Sequence, residues 1–126
     1  MNILIVDDIE DNIESLERLI TQFTRKYNVN CTVLQAQNGQ KAVDICDENK
    51  IDLVFMDIMM PVMNGKECCK VLKSSSDTSD IPIIVLSAKS YEEDLREMFE
   101  LGIDSYITKP FSEKRLLKVV EDYLSI

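Results

Sequence analysis

The sequence predicts an α/β fold, a three-layer doubly wound (βα)5 sandwich around a five-stranded parallel sheet. Three observations carry that expectation. Short apolar runs alternate five times with longer segments of helical periodicity in a chain of 126 residues. The runs at 3–6, 53–56 and 82–86 are continuously apolar, as expected of parallel strands covered by helices on both faces. Several of the runs also end in charged or hydroxyl residues: Asp7 and Asp8, Asp57, Ser87, and Thr108 with Lys109.

Each element has its own local signal. Residues 3–6 form the first strand. Ile13, Leu16, Ile20, Phe23 and Tyr27 then recur on one helical face, with Asp11 or Asn12 available as cap. Residues 32–36 read as the second strand, and Asn38-Gly39 turns the chain into a helix around residues 41–47. The third strand, 53–56, runs through Asp57 into a loop containing Pro61 and Asn64-Gly65, and a helix follows over 65–73. Residues 74–80 read as a solvated polar connector. Residues 82–86 supply the fourth strand, and 92–101 a helix with Leu95, Met98 and Phe99 facing inward, stopped by Gly102. Residues 105–108 are the fifth strand, and Ser112 caps a last helix carrying Leu116, Leu117, Val120 and Leu124. No linker or repeat interrupts the pattern, so one domain is expected over 1–126.

Composition narrows the function. Lys plus Arg number 14 against 23 Asp plus Glu, a net charge of -9 that repels phosphate backbones and argues against direct nucleic-acid binding. The absence of histidine removes the commonest transition-metal ligand and the usual general base. Cys31, Cys46, Cys68 and Cys69 form no C-x-x-C pair and read as small buried hydrophobes in a reducing compartment. No run reaches the roughly 20 apolar residues of a membrane span. The first run is too short for a signal peptide, so the expected location is cytoplasmic.

In a parallel sheet, all strand carboxyl ends lie along one edge, where ligands of open α/β sheets bind. Asp7, Asp8 and Asp57 would meet there, while the second strand ends in the uncharged Gln37-Asn38-Gly39. Three carboxylates a few ångströms apart do not all stay ionised without a cation. With no soft ligand at hand, the cation expected is Mg2+, for which Mn2+ could substitute. Lys109 and the Ser87 hydroxyl would stabilise an added anionic group on Asp57. The parts describe an ionised aspartate that accepts a phosphoryl group.

The strings LIVDD, VFMDIMMPVMNG, IIVLSA and YITKPF, in that order and spacing, resemble the response-regulator receiver domains of two-component signalling, the single-domain chemotaxis regulators in particular. The resemblance covers essentially the whole chain. It implies a flavodoxin-like sheet of order 2-1-3-4-5, with Asp57 as phosphoacceptor, supplied by a sensor histidine kinase or a histidine phosphotransfer protein. It also implies that Asp8 and the Met59 backbone carbonyl join Asp57 in binding Mg2+, with Asp7 acting through water. Ser87 would contact the phosphoryl group, Lys109 would pair with it, and Lys109-Pro110 would be a cis peptide. Tyr106 would turn inward as a readout on the face of the fourth helix, fifth strand and fifth helix. Met59 and Lys89 occupy positions that tune phosphoryl lifetime in the family.

The expected protein is therefore a switch rather than an enzyme, catalysing only its own phosphorylation and dephosphorylation. It would signal to a downstream protein target, as a monomer or a phosphorylation-dependent dimer. Acids along the last two helices hint at a basic partner, although a solvated face explains most of them. Alternatives are a receiver excised from a hybrid histidine kinase or multidomain regulator, and a pseudo-receiver that never takes phosphate. An aspartate-nucleophile phosphatase is disfavoured because Met59 stands where its second aspartate would be. A flavodoxin is disfavoured by the acidic loop after the first strand.

Overall fold

The computed structural model describes residues 1–88 and 92–124. Strands β1 (Asn2–Val6), β2 (Thr32–Ala36), β3 (Leu53–Asp57), β4 (Ile83–Ala88) and β5 (Ser105–Lys109) alternate with five helices. These are α1 (Glu10–Lys26), α2 (Gly39–Glu48), α3 (Gly65–Ser74), α4 (Glu92–Leu101) and α5 (Glu113–Leu124). All paired strands are parallel, in the order β2-β1-β3-β4-β5. The expected doubly wound fold and strand order are both observed.

The continuously apolar strands serve two cores, because successive side chains point to opposite faces of a sheet. Leu4, Val6, Val54, Met56, Ile83 and Val85 pack toward Cys68, Leu72 and Met98 of α3 and α4. Ile3, Ile5, Phe55, Ile84 and Leu86 pack on the other face against Ile13, Leu16 and Ile20 of α1 and Leu116 and Val120 of α5. Each large side chain fully withdrawn from water contributes about 1.5–3 kcal/mol. The central strands are thereby fixed, and so is the edge to which they deliver their last residues. Cys46, Cys68 and Cys69 are buried as expected, whereas Cys31 is only half-buried.

Several local expectations need correction. Neither Asp11 nor Asn12 caps α1; the cap residue is Ile9, with no side-chain cap bond, and the two polar residues lie within the first turn. The inward line of α1 runs Ile13, Leu16, Ile20 and Thr24, because Tyr27 falls beyond the helix end and stays exposed. Phe99 is 44% exposed rather than inward. It flanks the buried Leu95–Met98 line of α4 and meets Tyr106 edge-on, with centroids 5.7 Å apart. In α5, Val119 rather than Leu117 joins the buried line.

The polar segment 74–80 is not a merely solvated connector. Thr78 is buried, and its Oγ1 donates to the Leu72 carbonyl at 2.6 Å, satisfying an acceptor that the end of α3 leaves open. Beta strand four starts at Ile83 rather than Pro82; Pro82 instead offers its carbonyl to the Val54 N–H.

One backbone feature carries strain. Val62, between β3 and α3, has φ 68° inside a tight turn in which the Met63 N–H donates to the Pro61 carbonyl at 2.8 Å. A β-branched residue is strongly disfavoured at positive φ. Nothing compensates through packing, since Val62 is 82% exposed. Val62→Gly is therefore expected to raise stability by about 1 kcal/mol in urea unfolding. A loss of stability would show that the valine side chain contributes contacts that outweigh its backbone cost.

Candidate phosphoryl-acceptor site

At the carboxyl end of β1, Asp7 is withdrawn from water and held from two sides. Its Oδ1 accepts from the Ile9 N–H at 3.0 Å, and its Oδ2 from the Asn12 side-chain amide at 3.2 Å. Asp8, the next residue, is exposed. Asp57 ends β3, half-buried, and its Oδ1 accepts from the Ile58 N–H at 2.9 Å. Lys109 ends β5 and reaches across the edge. Its Nζ lies 3.6 Å from Asp57 Oδ1 and 3.7 Å from Asp7 Oδ2, so it acts as a point charge between the two. Carboxylate oxygens of Asp7, Asp8 and Asp57 come within 4.8 Å of one another.

The order of the strands explains this convergence. β1 and β3 are neighbours, and Asp57 sits one residue beyond the pairing of Val6 with Met56. The loop after Asp57 is tied down twice. The Gly65 N–H donates to the Ile58 carbonyl at 2.7 Å, and the Gly39 N–H donates to the Met63 carbonyl at 2.9 Å. A Cβ at Gly65 would collide with the Asp57 carbonyl oxygen, so the close approach requires glycine. Asn64 and Glu67 complete a reciprocal cap at the start of α3. The backbone around Asp57 is thus clamped from both sides, while the Met59 side chain is exposed at its rim.

Three negative charges face one ammonium. Burial pushes the Asp57 carboxyl above its ordinary range; Lys109 opposes the rise, Asp7 adds to it, the Ile58 N–H opposes it and Asp8 adds again. Among the described residues, Lys109 is the one cation paired with these carboxylates. The donor set is made only of hard oxygens, which fits Mg2+ and suits no soft metal.

Of the remaining expected residues, Ser87 lies near the same edge, whereas Tyr106 stands earlier along β5, paired with Val85. Ser87 is buried opposite Thr108, but its Oγ donates to the Ala88 carbonyl at 2.9 Å rather than toward Asp57. Tyr106 is 41% exposed and turned outward, with a cavity of about 530 Å3 between α4 and β5 beside it. The Lys109-Pro110 peptide is cis. Lys89 lies outside the described residues. Asn12 was legible only as a possible cap; its contact with Asp7, five residues earlier, has no separate signature in the sequence.

A parallel doubly wound sheet with an acid cluster at its switch point and a lysine across it defines a flavodoxin-like α/β domain with a candidate cation site. The chain belongs to the response regulator receiver domain family, which it matches over residues 3–121. It is a receiver domain of two-component signal transduction. It is 34% identical to the protein PilH of Pseudomonas aeruginosa over 123 residues, covering 98% of this chain and 97% of PilH. It is 40% identical to the nisin biosynthesis regulatory protein NisR of Lactococcus lactis, covering 94% of this chain and 48% of NisR. Among solved structures, the signal receiver domain of a signal transduction histidine kinase from Syntrophus aciditrophicus has a TM-score of 0.82 and 31% identity, covering 98% of this chain and 89% of that one. Against three other curated relatives the chain spans 26%, 48% and 45% of their length. No described helix is long and apolar enough to cross a membrane.

Relief of the like-charge cluster sets the sign of a stability change. In buffer containing a chelator, Asp57→Asn is expected to raise the thermal midpoint by roughly 2–5 °C. Because the folded pKa of Asp57 lies above its unfolded one, the destabilisation is full above the folded value and disappears as pH falls below the unfolded value. The advantage of Asp57→Asn should shrink correspondingly in acid. A midpoint lowered at neutral pH would contradict this reading of the charges.

Proposed function

We propose that Asp57 is the phosphoacceptor of this receiver. The observation that carries the reading is the setting of its carboxylate: one oxygen fixed by the Ile58 N–H, Lys109 at 3.6 Å, and two further carboxylates within reach of a shared cation. The other Asp57 oxygen attacks the phosphorus of the donor. The phosphorus–oxygen bond forms as the donor's phosphorus–nitrogen bond breaks, and the donor histidine keeps the electron pair. The donor is a sensor histidine kinase or a histidine phosphotransfer protein.

Asp8, Asp57 and the Met59 carbonyl would hold Mg2+, with Asp7 acting through water; Mn2+ has the same preference for oxygen ligands. When bound, the ion supplies positive charge to the carboxylates and to the incoming phosphoryl oxygens. The protein's own residues do the rest. The Ile9 N–H and Asn12 fix Asp7, so that its charge is aimed before any ligand arrives. Lys109 pairs with the phosphoryl group once it is attached. Ser87 exchanges its bond to the Ala88 carbonyl for one to a phosphoryl oxygen, and Tyr106 turns into the cavity beside α4.

The changed face of α4, β5 and α5 then binds a downstream protein, for which an exposed acid such as Glu92, beside Tyr106 and Thr108, favours a basic surface. The domain turns over only its own phosphoryl group. The same chemistry serves a receiver inside a longer kinase or regulator; the chain spans 48% of the regulatory protein NisR.

Incubation with acetyl phosphate and Mg2+, followed by intact mass measurement, is expected to give one phosphoryl adduct that Asp57→Asn eliminates. Absence of any adduct at saturating donor would favour an interaction module that never takes phosphate.

A further inference from the structure

Helix α3 carries Lys66, Lys70 and Lys73 along one face, and the chain from α4 onward offers Asp94, Glu97, Glu100 and Asp104. The contacts between these two elements differ sharply at the two ends of α4. Its carboxyl end is fixed largely by backbone. The Ile103 N–H donates to the Met98 carbonyl at 3.2 Å and the Gly102 N–H to the Phe99 carbonyl at 3.1 Å, with Gly102 at φ 104°. This double closure buries Met98 and Ile103 together. Asp104 then exchanges two bonds with Ile83 of β4. Lys73, whose side chain is only 12% exposed, lies 3.7 Å from Asp104 and donates to the Ser79 and Ile81 carbonyls.

Toward the other end, Leu95 still reaches the shared core, and beyond it the described contacts to α3 are exposed charges. Lys66 Nζ lies 3.2 Å from Asp94 and 2.7 Å from Glu97, in side chains that keep a third or more of their surface in water. Such pairs are weak and salt-sensitive. Lys66 stands in the first turn of α3, where a cation opposes the helix dipole, so its position does not serve α3 itself. It follows directly on Gly65, the residue packed against the Asp57 carbonyl. On the opposite flank of α4 lies the 530 Å3 cavity lined by Leu95, Phe99, Tyr106 and Thr108. The amino-terminal half of α4 therefore has room to leave α3, whereas its carboxyl end does not.

We infer that Lys66 is a latch: with Asp94 and Glu97 it holds the amino-terminal half of α4 against α3, and its release lets that half swing toward β5 about a pivot at residues 98–104. The latch begins one residue from the clamp on the acceptor strand. Its use in signalling rests on the phosphoacceptor reading, but the hinge itself does not.

Amide hydrogen exchange, read residue by residue by NMR, tests the latch on the unphosphorylated protein. Lys66→Met is expected to speed exchange at residues 96–98 by roughly two- to fivefold, in line with the small worth of exposed ion pairs, while Ile103 keeps its protection. Raising salt should reproduce the effect in the wild-type protein and leave Lys66→Met unchanged. The reversal Lys66→Glu with Glu97→Lys should restore part of the protection. Unchanged exchange at 96–98 in Lys66→Met would overturn the inference. So would loosening that extends equally to Ile103, which would mean general destabilisation. Failure to form an acyl phosphate would sink the phosphoacceptor reading and leave this result standing.

Discussion

The excess of carboxylate over ammonium at one edge of the sheet is the constraint on which the rest of the structure depends. Asp7, Asp8 and Asp57 approach within 4.8 Å, and Lys109 is the cation that the described residues bring between Asp7 and Asp57. In a half-buried setting, like charges cannot be screened as they are on the surface. The surrounding fold must therefore hold them in place against their repulsion. It does so with groups that cannot drift: strand ends locked by two apolar cores, the Ile9 and Ile58 N–H groups, and a loop fastened through Gly39 and Gly65. A charge cluster that weakens the metal-free fold fits the proposed function, in which a cation and a phosphoryl group would complete it.

The same edge connects the site to the surface. Asp57 continues into the β3–α3 loop, Gly65 packs on its carbonyl, and Lys66 grips α4. β5, paired with β4, leads from Lys109 to the same helix through the contact of Tyr106 with Phe99. Two routes of contact thus converge on α4, one through exposed charge and one through aromatic packing. Helix α4 is also the element whose two ends are held by interactions of very different strength.

Much of this was legible in the sequence, for identifiable reasons. Continuous apolar runs determine buried parallel strands, and the acids, hydroxyl and lysine that follow them share an edge as soon as the sheet is parallel. The errors arose where local periodicity was asked to report tertiary position. Tyr27 keeps the spacing of α1 but lies past its end, and Phe99 keeps the spacing of α4 but flanks the covered line. Thr78 looked like a solvated loop residue because the Leu72 carbonyl that buries it is supplied by the end of a helix six residues away. The orientations of Ser87 and Tyr106 are matters of rotamer, which no spacing encodes. The link from Lys66 to Asp94 and Glu97 spans about 30 residues and becomes visible only once α3 and α4 are side by side.

The central claim is that the three carboxylates form a cation site whose charge the fold alone does not balance. Thermal unfolding with and without Mg2+, in the wild-type protein and in Asp8→Ala, tests it most directly. Ligand bound only by the folded state must raise the midpoint. The account predicts a clear gain in the wild type and the loss of most of that gain in Asp8→Ala. No gain in the wild type, or an equal gain in the variant, would contradict it.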